Sequence, residues 1–160
     1  MSACSGAPES DFPPLCPQLS VLPDAGDLTR FQGGGTDITN IVVDGRIPRP
    51  TGQCSLKDAT HLLTTLHVNL ELTRGPASKS RTVDVTYSVW ALKGNTILDK
   101  REYRVPTEFP SNTDHVRLTG EDITLEFPIS EKVSGAAYRV LVGFQLTPAE
   151  LAFNRRRGPR

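Results

Sequence analysis

Four stretches of the chain alternate apolar and polar residues with period two. Leu66, Val68, Leu70 and Leu72 alternate with Thr65, His67, Asn69 and Glu71. Val83, Val85, Tyr87 and Val89 alternate with Asp84, Thr86 and Ser88. Ile123, Leu125 and Phe127 form a shorter series, and Tyr138, Val140, Val142, Phe144 and Leu146 the longest. Successive side chains of a strand point to opposite faces, so each pattern predicts a strand with one face on a core and one in water. Residues 19–22, 38–47, 97–105 and 116–118 are weaker strand candidates.

Turn chemistry separates these stretches. Gly75-Pro76 opens a polar loop over 74–81, and Gly94-Asn95 between Leu92 and Ile97 predicts a tight hairpin. Further turns fall at 109–112, 119–122 and 134–135, and Gly33, Gly34 and Gly35 mark a loop after the first strand region. Seven to eight short antiparallel strands with no long helix predict an all-β sandwich, Ig-like or fibronectin type III-like by default, with a closed barrel as the competitor. One short helix is signalled near the end. Thr147-Pro148-Ala149-Glu150 is a capping box with proline at the first helical position, predicting a helix over 148–154 anchored by Leu151.

The 160 residues fit one domain, expected over 16–154, between an irregular start (1–15) and an arginine-rich tail (155–160). Lys plus Arg and Asp plus Glu both number 18, so no net charge draws the molecule to nucleic acid. The balance fails locally, because Arg155, Arg156, Arg157 and Arg160 crowd the last six positions. They are candidate contacts for an anionic surface, the bland alternative being a solvated terminus. No apolar run approaches the roughly 20 residues that span a bilayer, so any membrane attachment is covalent or through a partner.

Ser2-Ala3-Cys4 resembles the end of a bacterial lipobox, in which small residues precede a cysteine that receives a diacylglycerol; Met1 stands where leucine is usual. The Pro-, Gly- and Ser-containing stretch behind it looks like the tether of such lipoproteins. Ser5 stands where aspartate is the usual inner-membrane retention signal, which by resemblance favours the outer membrane. The alternative is that Cys4 is an ordinary cytosolic thiol. Cys16 and Cys54 remain as an even pair. In an oxidising periplasm they would form one disulfide, worth about 4 kcal/mol in the chain-entropy model; the alternative is two buried free thiols. Cys16-Pro17, Leu28-Thr29-Arg30-Phe31 and the run from Leu141-Val142-Gly143-Phe144 through Gln145-Leu146-Thr147-Pro148 resemble a family of alphaproteobacterial envelope lipoproteins. That resemblance implies location and fold, and carries no activity.

Candidate chemistry is sparse. There is no Gly-x-Ser-x-Gly elbow, and His61, His67 and His115 read as surface residues near strand ends or on polar faces. Asp24, Asp27 and Asp44, or Glu121 and Asp122, offer carboxylates for calcium but lack the spacing of a calcium loop. The triple glycine lacks the Gly-Lys-Ser/Thr ending of a phosphate loop. No catalytic residue, metal or cofactor is expected. Trp90 and Leu92 share the parity of Asp84, Thr86 and Ser88, so a regular strand presents them on its outer face as a partner-binding patch. A β-bulge or cover by the C-terminal helix would remove that patch. The expectation is a non-enzymatic envelope lipoprotein docking onto a larger assembly, with a small-ligand or glycan-binding module as the alternative.

Overall fold

The computed structural model of the chain describes residues 14–160. Its strands are β1 (Gln18–Val21), β2 (Asp27–Phe31), β3 (Ile41–Arg46), β4 (Thr51–Asp58), β5 (His61–His67), β6 (Asn69–Arg74), β7 (Thr82–Lys93), β8 (Thr96–Glu108), β9 (His115–Thr119), β10 (Ile123–Pro128) and β11 (Tyr138–Phe144). One helix, α1 (Pro148–Arg157), follows. The first layer has the order β1-β11-β7-β8, antiparallel except for β1, which runs parallel to β11.

The opposing layer consists of two hydrogen-bonded sheets, β10-β5-β4 and β2-β3-β6-β9. They are halves of one bent layer. β5 passes into β6 through Val68 alone, β9 into β10 across 120–122, and β3 into β4 across 47–50. The break has local causes on both sides of Val68. Pro48 and Pro50 have no N–H to offer a ladder. At Gly120 the amide donates to the Val68 carbonyl at 2.8 Å, and a Cβ there would stand 2.7 Å from the Tyr87 hydroxyl. Both flanking strands therefore change partner where the central strand does not change direction.

The central strand pair carries an unbroken buried stripe: Leu62, Thr64, Leu66, Val68, Leu70 and Leu72. Facing it are Val85, Tyr87, Val89 and Ala91 of β7 and Tyr138, Val140, Val142 and Phe144 of β11. Val140 pairs with Ala91, Val142 with Val89 and Phe144 with Tyr87, so the two strands present one apolar surface. Aromatic contacts lock the layers: Phe127 lies 4.7 Å from Tyr138, whose hydroxyl donates to the Pro128 carbonyl at 2.5 Å. Tyr87 stacks on Tyr103 at 5.2 Å, and burial pushes its phenol up to about 12.

The expected antiparallel sandwich is present with more strands than the pattern predicts. The alternating series 66–72 spans parts of two strands, because it passes through the partner change at Val68 without losing its period. β4 was not anticipated at all: it is an edge strand whose residues are almost all exposed, so it carries no alternation. Gly94, at φ 59°, turns the expected β7–β8 hairpin.

Cys16 and Cys54 are joined in a disulfide with Cα atoms 5.6 Å apart. It fastens the residues just ahead of β1, an edge of one layer, to β4, an edge of the other. β1 is held to β11 by only four residue pairs, so the bridge reinforces the weakest strand of its layer. Replacing both cysteines by serine is expected to lower the unfolding free energy by up to about 4 kcal/mol, read by urea denaturation with the native far-UV spectrum retained. Leu66→Ala, in the middle of the stripe and fully buried, is expected to cost about 2–5 kcal/mol in the same assay.

Candidate functional site

The densest polar architecture lies where α1 folds back over β2. The expected capping box forms: Thr147 Oγ1 accepts from the Glu150 amide at 3.2 Å, and Glu150 Oε2 accepts from the Thr147 amide at 2.9 Å. The helix runs three residues past the expected end, to Arg157. Three arginines occupy its last turn, where cations suit the exposed carbonyls. Gly158, at φ 78°, then ends it by donating its amide to the Asn154 carbonyl. Arg155, Arg156 and Arg157 are thus a helical turn rather than part of an irregular tail.

The helix is anchored by polar residues, not by Leu151, which is half-buried. Glu150 and Asn154, four residues apart and so on one helix face, are its buried positions. Glu150 Oε1 accepts from Arg30 Nε at 3.1 Å. Asn154 Nδ2 donates to the carbonyls of Asp24 and Asp27 at 2.9 and 2.7 Å. Phe153 adds an edge-to-face contact with Phe31 at 4.9 Å.

Three of the four terminal arginines turn inward onto carboxylates. Arg155 meets Asp24 at 3.1 Å, Arg157 meets Asp27 at 3.1 Å, and Arg160 meets Asp44 at 2.8 Å. Arg160 also approaches the second Asp27 oxygen at 3.8 Å. The three aspartates weighed as calcium ligands are therefore the counter-charges of the arginine cluster. Only the Arg157–Asp27 and Arg160–Asp44 pairs are shielded enough to matter, since Arg155 and Asp24 are largely solvated. Arg156 is exposed and has no acidic partner among the described residues.

Two grooves flank this clasp. The larger, about 540 Å³, lies between α1 and the loop of Gly33, Gly34 and Gly35, with Phe31, Arg30 and Arg156 in its walls. The other, about 440 Å³, is framed by β1, the connection after β3 and the chain end at Pro159 and Arg160; Arg46 and Arg49 line it. Neither of these two arginines was singled out from the sequence. They stand far from the terminal arginines along the chain, and only the end of β3 brings them beside Arg160.

The proposed Trp90 and Leu92 patch is not open. A register shift between Ala91 and Leu92 breaks the strand's parity, and Leu92 is only 7% exposed. Trp90 is half-buried and shares a hollow with Leu22, Leu146 and Leu151, while Lys100 Nζ sits 5.9 Å from its ring. Cys4 lies outside the described residues.

The histidines occupy three separate places. His67 Nδ1 faces Asp122 at 2.8 Å and His115 Nδ1 faces Thr73 at 3.1 Å. His61 Nδ1 meets both Thr60 Oγ1 at 2.9 Å and Asp58 at 3.1 Å. Thr60 and Asp58 share Nδ1, while Glu126 Oε1 stands 3.9 Å from Nε2, beyond hydrogen-bond reach, so the group closes a hairpin turn and no hydroxyl–imidazole–carboxylate relay is assembled. Thr60 donates its amide and hydroxyl to Asp58 at 2.7 and 2.8 Å, which pulls that carboxyl down to about 2. Among the described residues no three His, Cys, Asp or Glu side chains are grouped to hold a metal ion.

Comparison with protein-family models, curated proteins and solved structures found no match to this chain.

Asn154→Ala is expected to cost about 1–3 kcal/mol, because the two carbonyls it satisfies are left under the helix. Hydrogen exchange should show faster exchange confined to α1 and the start of β2. The Asp58 carboxyl is expected to titrate near 2, followed by carbonyl NMR. Its folded-state value lies below the unfolded one, so the turn's contribution is complete above about pH 4 and lost as pH falls through 2.

Proposed function

We propose that this chain is a non-enzymatic lipoprotein of the bacterial envelope, anchored by a lipid on Cys4 and facing the periplasm, more suited to the outer than the inner membrane. Its sandwich serves as an accessory subunit that docks onto a larger membrane or periplasmic assembly. The observation that carries the reading is the position of the Cys16–Cys54 bridge. A disulfide persists in an oxidising compartment. This one sits where a tether from Cys4 would enter the domain, so a pull on the anchor is borne by a covalent link between both layers rather than by the four residue pairs of β1. The dispersed histidines and the aspartates committed to arginines suit a protein that binds rather than one that reacts.

A second reading, a small-ligand or glycan-binding module, is favoured by the groove beside Gly33, Gly34 and Gly35, whose volume is within the range of ligand sites. Amide shift changes at those three glycines on glycan titration would support it; unmoved signals would remove it.

The lead reading is tested in a bacterial host expressing the gene with its native upstream frame and an alkyne fatty acid in the medium. The chain should take the label, and Cys4→Ala should abolish it; an unlabelled wild-type chain overturns the anchor. Affinity purification from detergent-solubilised membranes should recover a stoichiometric partner, and repeated recovery of the chain alone overturns the accessory role.

A further inference from the structure

Arg46 closes β3 on the outer face of its sheet, opposite Asp27 on one side and Glu71 on the other. Both potential counter-charges are engaged elsewhere. Asp27 is held by Arg157 at 3.1 Å and approached by Arg160, and Glu71 by Arg117 at 3.2 Å. Arg46 is thus an exposed cation whose acidic neighbours are already neutralised. Arg49 is also exposed and has no acidic partner among the described residues. Pro48 and Pro50 on either side fix its backbone, so it is displayed from a stiff connection.

Arg49 connects two hollows. One is the basic groove it shares with Arg46, Pro159 and Arg160. The other holds Cys16, Pro17 and Gln18, the point at which the chain enters the fold. Arg46 and Arg49, two of the cations without an acidic partner among the described residues, therefore stand beside the entry of the N-terminal segment. Ten residue steps separate Cys4 from Pro14, and a chain extends at most about 3.5 Å per residue. A lipid on Cys4 would keep the entry of the chain at Pro14, and the face around it, within about 35 Å of the bilayer. Guanidinium groups match phosphate oxygens in a two-pronged geometry.

We propose that Arg46 and Arg49, displayed around the entry of the tether, bind the headgroup phosphates of an anionic bilayer and set the domain's orientation on it. The orientation rests on the Cys4 anchor proposed above; the phosphate contact does not. The anchor and the arginines then act as two linked membrane contacts, since a single acyl group or a few charges alone hold a protein only weakly.

The test uses the full, unlipidated chain in vesicle sedimentation, with phosphatidylglycerol in phosphatidylcholine against phosphatidylcholine alone. Binding should require phosphatidylglycerol and weaken with added salt. The double variant R46Q/R49Q, both positions exposed, should bind about 25-fold more weakly, at about 5-fold for each charge removed. R104Q, on the edge strand at the far side of the first layer, should bind like wild type. No phosphatidylglycerol-dependent binding overturns the proposal, and so does a weakening of about 5-fold by R104Q, the same per charge removed as in the double variant, which would show diffuse attraction. Glycerol 3-phosphate provides the soluble arm, titrated by calorimetry. If it binds with the same arginine dependence while the vesicles do not, the groove serves a dissolved phosphate ester and the membrane contact is overturned. Because the chain carries no lipid here, failure of fatty-acid labelling and failure of vesicle binding are separate results.

Discussion

The buried stripe from Leu62 to Leu72 governs the rest of the architecture. Its side chains share one parity through a break in the hydrogen-bonded ladder, so the apolar surface is continuous where the sheet is not. A strand that slipped by one residue at Val68 would turn half of this surface to water, which fixes the register of both half-sheets together. β7 and β11 answer it with their own matched stripe, and the aromatic contacts of Phe127 with Tyr138 and Tyr87 with Tyr103 fill the ends. Thr64 is the exception in the stripe, with a buried hydroxyl that has no hydrogen-bond partner among the described residues.

An open sandwich must deal with its edges, and four of the six edge strands here are protected by three different devices. β8 carries Asp99, Lys100, Arg101 and Glu102 on its exposed half, a charge pattern that discourages further pairing. β1 and β4 are tied to each other by the disulfide. β2 is covered by α1, through Phe153 on Phe31 and through the polar contacts of Glu150 and Asn154. The helix is thus an edge cover held by directed hydrogen bonds, and these fix its rotation in a way that one leucine on a flat surface would not.

Charge is balanced over the chain but unevenly placed on the fold. The arginines of α1 and the chain end meet aspartates from the β1–β2 connection, β2 and β3, leaving Arg156 on one flank and Arg46 and Arg49 on the other without acidic partners among the described residues. The segment richest in arginine is accordingly largely neutralised, while Arg46 and Arg49, isolated in the sequence, have no acidic partner among the described residues.

Period-two alternation, the capping box, the Gly94-Asn95 hairpin and the even cysteine pair are short-range features, each written within a few neighbouring residues or by elimination. They determined the all-β class and the helix start at Pro148, and left Cys16 and Cys54 as the pair that the structure joins. Strand order, the bent second layer and the existence of β4 depend on which backbone lies alongside which, and a solvated edge strand leaves no periodic trace. The partners of Arg155, Arg157 and Arg160 lie 116 to 131 residues away along the chain. Whether an arginine is neutralised or free depends on a field summed over such distant groups. The bulge at Leu92 likewise arises in the pairing of β7 with β8. The sequence by itself therefore determined which faces were apolar, and only the tertiary structure decided which charges were left over, because burial follows local parity while electrostatic compensation follows position in space.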